Sequence, residues 1–149
     1  MTSTKRTLAL AAGLSMAVAG LWGAALASDA AHERHEAMEA VGDSFKAMRA
    51  MAVKEAPFDA ALVKKNATTI HEKLKEAHGL FPAGSGGGES RAKAEIWSDR
   101  ANFDKAMKDA QAAAAAMAGV TDEAAFGAAM KTLGGGCKGC HDKYRLPKE

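Results

Sequence analysis

Aromatic side chains are scarce in this chain of 149 residues: two tryptophans, one tyrosine and five phenylalanines, 5% of the whole. Rings alone cannot fill its core, so something else must bring bulk. Alternation of apolar and polar residues over strand length is missing, which removes the βαβ setting that a thioredoxin-type dithiol needs. Cysteine occurs twice, at 137 and 140. A structural zinc site closes with four ligands, usually from two paired motifs, and this chain has only one pair. No repeat of longer period is evident.

An excess of charge of one sign is lacking as well. The chain has 20 Lys+Arg against 18 Asp+Glu. Two of the basic residues, Lys5 and Arg6, fall in the first 27 residues, which hold no acid, so the remainder carries 18 of each sign. Nothing in that balance points to nucleic acid or an anionic membrane as partner.

Those first residues read as a targeting segment. Lys5 and Arg6 form a positive start, Thr7 to about Gly23 is uncharged and rich in Ala and Leu, and Ala25-Leu26-Ala27 fits a small-residue cleavage site. A retained anchor is the rival, since Thr7 to Ala27 nears the length that spans a bilayer. The alanines, the glycines and the A-x-A ending favour a signal peptide over residues 1–27, removed on export, with no stable membrane insertion afterwards. Residues 28–149 then form one domain with one core.

What the chain does have is Cys137-Lys138-Gly139-Cys140-His141, followed directly by Asp142-Lys143-Tyr144-Arg145. Cys-x-x-Cys-His is the attachment signature of a c-type haem. Two cysteines three residues apart project from one side of a helical turn and reach the two vinyl groups on one edge of a porphyrin. His141 then offers an imidazole to the iron. A disulfide between the two cysteines is the remaining alternative, and it leaves His141 unexplained. Export agrees with haem attachment, which takes place on the far side of the bacterial inner membrane.

Helical periodicity fills the rest. About Asp29 to Val53 carries Met38, Val41, Phe45, Met48 and Ala52 on one face. Pro57 interrupts, Asp59 caps a second helix, and its stripe is Val63, Ala67, Ile70, Leu74 and Ala77. That helix ends around Gly79 to Pro82. Ala83 to Glu89, with Gly84-Ser85-Gly86-Gly87-Gly88, reads as a flexible loop inside the domain, because each side is too short to bury a core of its own. A third helix is expected from about Ser90, with Ile96, Arg100, Phe103, Met107, Ala110, Ala114 and Met117 on its stripe. Gly119 closes it, and Thr121-Asp122-Glu123 opens a fourth with Phe126, Met130, Leu133, Cys137, Cys140 and Tyr144. Gly134-Gly135-Gly136 either gives a flat porphyrin room to approach the backbone or breaks the helix and leaves the motif on a loop. Four such segments with short connections predict an all-α fold, a left-handed antiparallel four-helix bundle with one covalently bound haem c, the cofactor supplying the bulk that rings do not.

The sequence resembles the class II cytochromes c, the family of the cytochromes c′, over nearly all of residues 28–149. Ala56-Pro57-Phe58-Asp59-Ala60-Ala61 is similar to the family's first connection, Glu95-Ile96-Trp97-Ser98-Asp99 to the start of its third helix, and Cys137 to Arg145 to its haem-binding end. The resemblance implies thioether bonds from Cys137 and Cys140, proximal ligation by His141, Arg145 close to the proximal pocket, and Arg34 near the haem propionates. Relatives commonly have tyrosine before that arginine, where this chain has Glu33. It further implies a homodimer through the first two helices.

Four residues after Arg34, high-spin members place an apolar residue, often leucine, and leave the iron five-coordinate. This chain has Met38, as do low-spin relatives with methionine as sixth ligand. Met38 is therefore the expected distal iron ligand, against the bland reading of core filler that Met48, Met51, Met107, Met117 and Met130 receive. His35 is the competing sixth ligand. His32, His71 and His78 read as surface residues. The expected function is electron transfer in the periplasm by a six-coordinate His/Met haem, exchanging electrons with periplasmic redox partner proteins and breaking no substrate bond. The alternative is a five-coordinate haem that binds nitric oxide or carbon monoxide. Peroxidase-like catalysis is third, since no distal acid–base residue has a motif behind it.

Overall fold

The computed structural model describes residues 17–87 and 90–147 and is helical throughout: α1 (Ala17–Ala52), α2 (Ala60–His78), the single turn α3 (Glu95–Ser98), α4 (Arg100–Ala118) and α5 (Glu123–Tyr144). α1, α2, α4 and α5 form a left-handed antiparallel four-helix bundle. Each packs on the next in the chain, and α1 meets α5 far less closely than the other neighbours meet. Residues 1–16, with Lys5 and Arg6, lie outside the described part. The Ala-rich stretch from Ala17 to Ala27 continues α1 upstream of the start expected near Asp29. No described helix is long and apolar enough to cross a membrane.

α2 forms as its pattern dictates. Asp59 accepts from the backbone amides of Ala61 (2.8 Å) and Leu62 (3.0 Å), satisfying two donors that the first turn leaves free. Val63, Ala67, Ile70, Leu74 and Ala77 are buried along one face. Val63 and Ile70 are fully enclosed, each worth about 1.5–3 kcal/mol of apolar burial. Asp122 caps α5 in the same way through the Ala125 amide (2.9 Å). Met48, Met51, Met107, Met117 and Met130 are buried in the core. Phe103 lies at its centre, edge-on to Phe81 and Tyr144 at 4.7 and 5.2 Å between centroids.

Four expectations need correction. The buried stripe of α1 is turned from the one expected: Ala30, Arg34, Ala37, Val41, Ser44, Met48 and Met51 face inward, Met38 and Phe45 sit half-buried at its flank, and Ala52 is exposed. The third helix does not start at Ser90. Residues 90–93 lie outside the helix, with Ala92 bridged antiparallel to Arg145, and Asp99 (φ −123°, ψ 46°) divides α3 from α4. Arg100 is not on the buried stripe; it reaches Asp104 (2.7 Å) and the Phe81 carbonyl (3.2 Å). His71 and His78 are not free surface residues either. His71 Nδ1 is 3.0 Å from the Gln111 carbonyl, and His78 Nε2 is 2.8 Å from Asp104 Oδ1, so both join α2 to α4.

Asp99 and Asp104 are structural acceptors. Asp99 receives Lys143 (2.6 Å) and Asn102 (2.8 Å). Hydrogen bonding, from Lys143 to Asp99 and from His78 to Asp104 first of all, holds both carboxyls below their ordinary value of 3.8. A folded-state value below the unfolded one gives stability that is present above pH 3.8 and lost as pH falls through the folded values. Melting temperature followed by circular dichroism should therefore fall steeply below about pH 4. Asp104→Asn should flatten that slope and lower the melting temperature at neutral pH; an unchanged slope would mean that the His78–Asp104 tie contributes nothing.

Candidate haem site

α5 carries the motif as continuous helix, so the glycine run is no break. Of the three glycines only Gly134 is a close approach: a Cβ there would lie 3.2 Å from Phe45 Cζ on α1. Space is open beside Gly135 and Gly136. Cys137 and Cys140 follow on the inner side, half-buried, free, and packed against the core. Burial pushes both thiols above their ordinary value. Redox-active Cys-x-x-Cys pairs are tuned the other way, toward thiolate, so the electrostatics oppose a dithiol oxidoreductase.

A cleft of about 1170 Å³ opens between α1 and α5. α1 lines it with Arg34, His35 and Met38, and α5 lines it with Cys140, His141, Tyr144 and Arg145. The floor is largely apolar: Phe81, Ile96, Met107 and Tyr144 are all buried. Burial chiefly, then the charges of Arg145 and Arg91, holds the His141 imidazole below its ordinary 6.5, which keeps it neutral and able to donate a lone pair. Arg145 Nη1 is 3.3 Å from His141 Nδ1. His35 reaches the same cleft, but its side chain is 69% exposed and lies 3.3 Å from Glu39. His32 is likewise exposed beside Glu36 at 3.5 Å.

Arg34 lines the cleft, yet protein groups already engage its guanidinium. Its guanidinium is buried without a carboxylate and donates to the Leu80 carbonyl (2.7 Å), to Ser85 O and Oγ (2.9 and 3.3 Å) and to Ser90 Oγ (2.7 Å), while stacking 4.5 Å over the Phe81 ring. Ser85, in the loop read as flexible, is 3% exposed. Arg91 was missed altogether. No spacing marks it; the Ala92–Arg145 bridge brings it to the cleft, where its guanidinium donates to the Leu146 carbonyl at 2.7 Å.

Among the described residues no three His, Cys, Asp or Glu side chains converge on one point. The donor set suits a haem: a neutral imidazole, a thioether sulfur and the Cys140 thiol line the cleft over an apolar floor, Cys137 stands three residues earlier on the same helix, and arginines at 91 and 145 can meet carboxylates.

A family profile described as Cytochrome C' matches residues 29–145. The chain belongs to the cytochrome c′ family. Cytochrome c′ of Rhodopseudomonas palustris is 37% identical over 146 residues, 97% of this chain and 99% of that one. Cytochrome c-556 of Agrobacterium fabrum is 41% identical over 128 residues, 85% of this chain and 87% of that one. A nitric oxide complex of a mutant cytochrome c prime from Alcaligenes xylosoxidans superposes with a TM-score of 0.75 at 32% identity, covering 82% of this chain and 97% of that one. The cytochrome c′ family carries covalent haem c, so haem c with its iron is the cofactor of this chain.

Proposed function

We propose that this chain is an exported electron-transfer cytochrome in which Cys137 and Cys140 would hold the haem by thioether bonds and His141 and Met38 would ligate its iron. One observation carries this reading: Met38 and His141, from two different helices, line the same cleft. When bound, haem c supplies a one-electron iron couple. His141 donates as a neutral imidazole, and the Met38 thioether is a soft, uncharged donor that favours the reduced metal. Phe81, Ile96, Met107 and Tyr144 keep water from the cleft floor, while Arg91 and Arg145 offset anionic groups at its rim.

The second reading is a five-coordinate haem that binds nitric oxide or carbon monoxide, with Met38 only packing. The names of the relatives, several of them cytochromes c′, and the nitric oxide complex among the solved structures support it better than they support the first. Met38 supports the first. An absorption spectrum of the purified protein decides between them. Six-coordinate ligation predicts a low-spin oxidised form with a weak sulfur-to-iron band at the red end; a high-spin oxidised parent overturns it and leaves the gas-binding reading.

Cleavage after Ala27 and a periplasmic location accompany the proposal, as do periplasmic redox proteins as partners. A homodimer through α1 and α2 belongs to the same proposal, and the elution volume of the purified protein on size exclusion tests it.

A further inference from the structure

α1 and α5 meet where Phe45 covers Gly134, and three turns nearer the cleft another connection spans them. There Arg34 of α1 donates to Ser90 Oγ at 2.7 Å, and the same oxygen accepts the Ala92 amide at 3.3 Å. The backbone beyond Ser90 is sewn to the end of α5: Leu146 N to Arg91 O at 2.8 Å, and Lys93 N to Tyr144 O at 3.0 Å. Lys93 Nζ adds a bond to the Asp142 carbonyl at 3.0 Å. Residues 90–93 thus form a strap that runs from one turn before Met38 to one turn after His141. Arg34 is buried and meets only neutral acceptors, so its hydrogen bonds to the strap are charge-assisted and unscreened.

We propose that Arg34 and Ser90 are positioning residues for the distal side of the haem: through residues 90–93 they fix how far α1 stands from the end of α5 and so restrict access to the iron. Neither touches the metal in this account. The inference rests on the reading that His141 ligates the iron in this cleft, and it does not require that Met38 does. Loosening the strap lets α1 move outward, so an external ligand enters faster whether it displaces a methionine or fills an open position.

The test uses the haem-loaded chain and carbon monoxide, with association rates of the reduced protein measured in the parent and in a Met38→Leu background. Ser90→Ala should raise the rate about tenfold, the effect of losing one charge-assisted hydrogen bond, and Ser90→Thr, which keeps the hydroxyl, should restore the parent rate. Unchanged rates in both backgrounds overturn the proposal. So does a lower melting temperature with no change in rate, which would make the strap a stability element alone. The sulfur-to-iron band is read separately. A parent without it whose Ser90→Ala variant still binds faster retains the strap and loses Met38 as ligand; a parent with it and a silent Ser90→Ala retains Met38 and loses the strap.

Discussion

A chain in which Cys137 and Cys140 are both alanine should carry no covalent haem after expression in a host competent for c-type maturation, whereas either single replacement should leave at most one thioether. Intact mass under denaturing conditions reads the difference directly. Both sulfurs sit on the inner side of α5, half-buried, and alanine is the best helix former, so the helix itself should survive. The larger consequence is for the bundle. α1 and α5 touch least of the neighbouring helices and the cleft between them holds about 1170 Å³. Chain entropy must then be offset by packing that the cofactor would have shared, and a group that binds only the folded state stabilises it in proportion to its occupancy. The double variant should therefore melt at a lower temperature than the parent, with exchange of the α1 amides between Arg34 and Val41 rising before those of α2. Covalent haem retained on the double variant would remove the motif from the attachment chemistry altogether.

How much of this was readable in advance depended on range. α2 was legible residue by residue, because a buried face at three- and four-residue spacing and an Asp cap are both local. The haem motif was legible because its chemistry is confined to five consecutive residues. Asp99 was not: its backbone leaves the helix where Lys143, 44 positions away, meets its carboxylate. The non-helical stretch at 90–93 was hidden for the same reason, since its backbone hydrogen bonds go to Tyr144 and Leu146. Arg34 lines the cleft, and its partners Leu80, Ser85 and Ser90 are set by tertiary packing that no periodicity encodes. His78 misled because a histidine among Lys and Glu resembles solvated surface until its partner Asp104 on α4 is seen. The α1 stripe is turned because a pattern of apolar residues ranks Met38 and Phe45 above the small Ala37 and Ser44, which are the more buried.

Met38→Leu should convert a low-spin oxidised protein to a high-spin one, remove the weak sulfur-to-iron band, and let the reduced form bind carbon monoxide far more readily. The argument is one of substitution at constant volume. Leucine fills nearly the same space at a half-buried position, so the cost in packing should stay below about 1.5 kcal/mol and the bundle should remain folded. What leucine lacks is the sulfur lone pair, so any spectral change reports bonding to iron rather than loss of shape. His35, one turn away on the same wall, is the internal control. If it takes the open position, the variant stays low-spin without the sulfur band, and His35→Ala in the same background then gives the high-spin form. A variant whose spectrum and carbon monoxide binding match those of the parent makes Met38 a packing residue, and the function passes to the five-coordinate, gas-binding reading that the names of the relatives support.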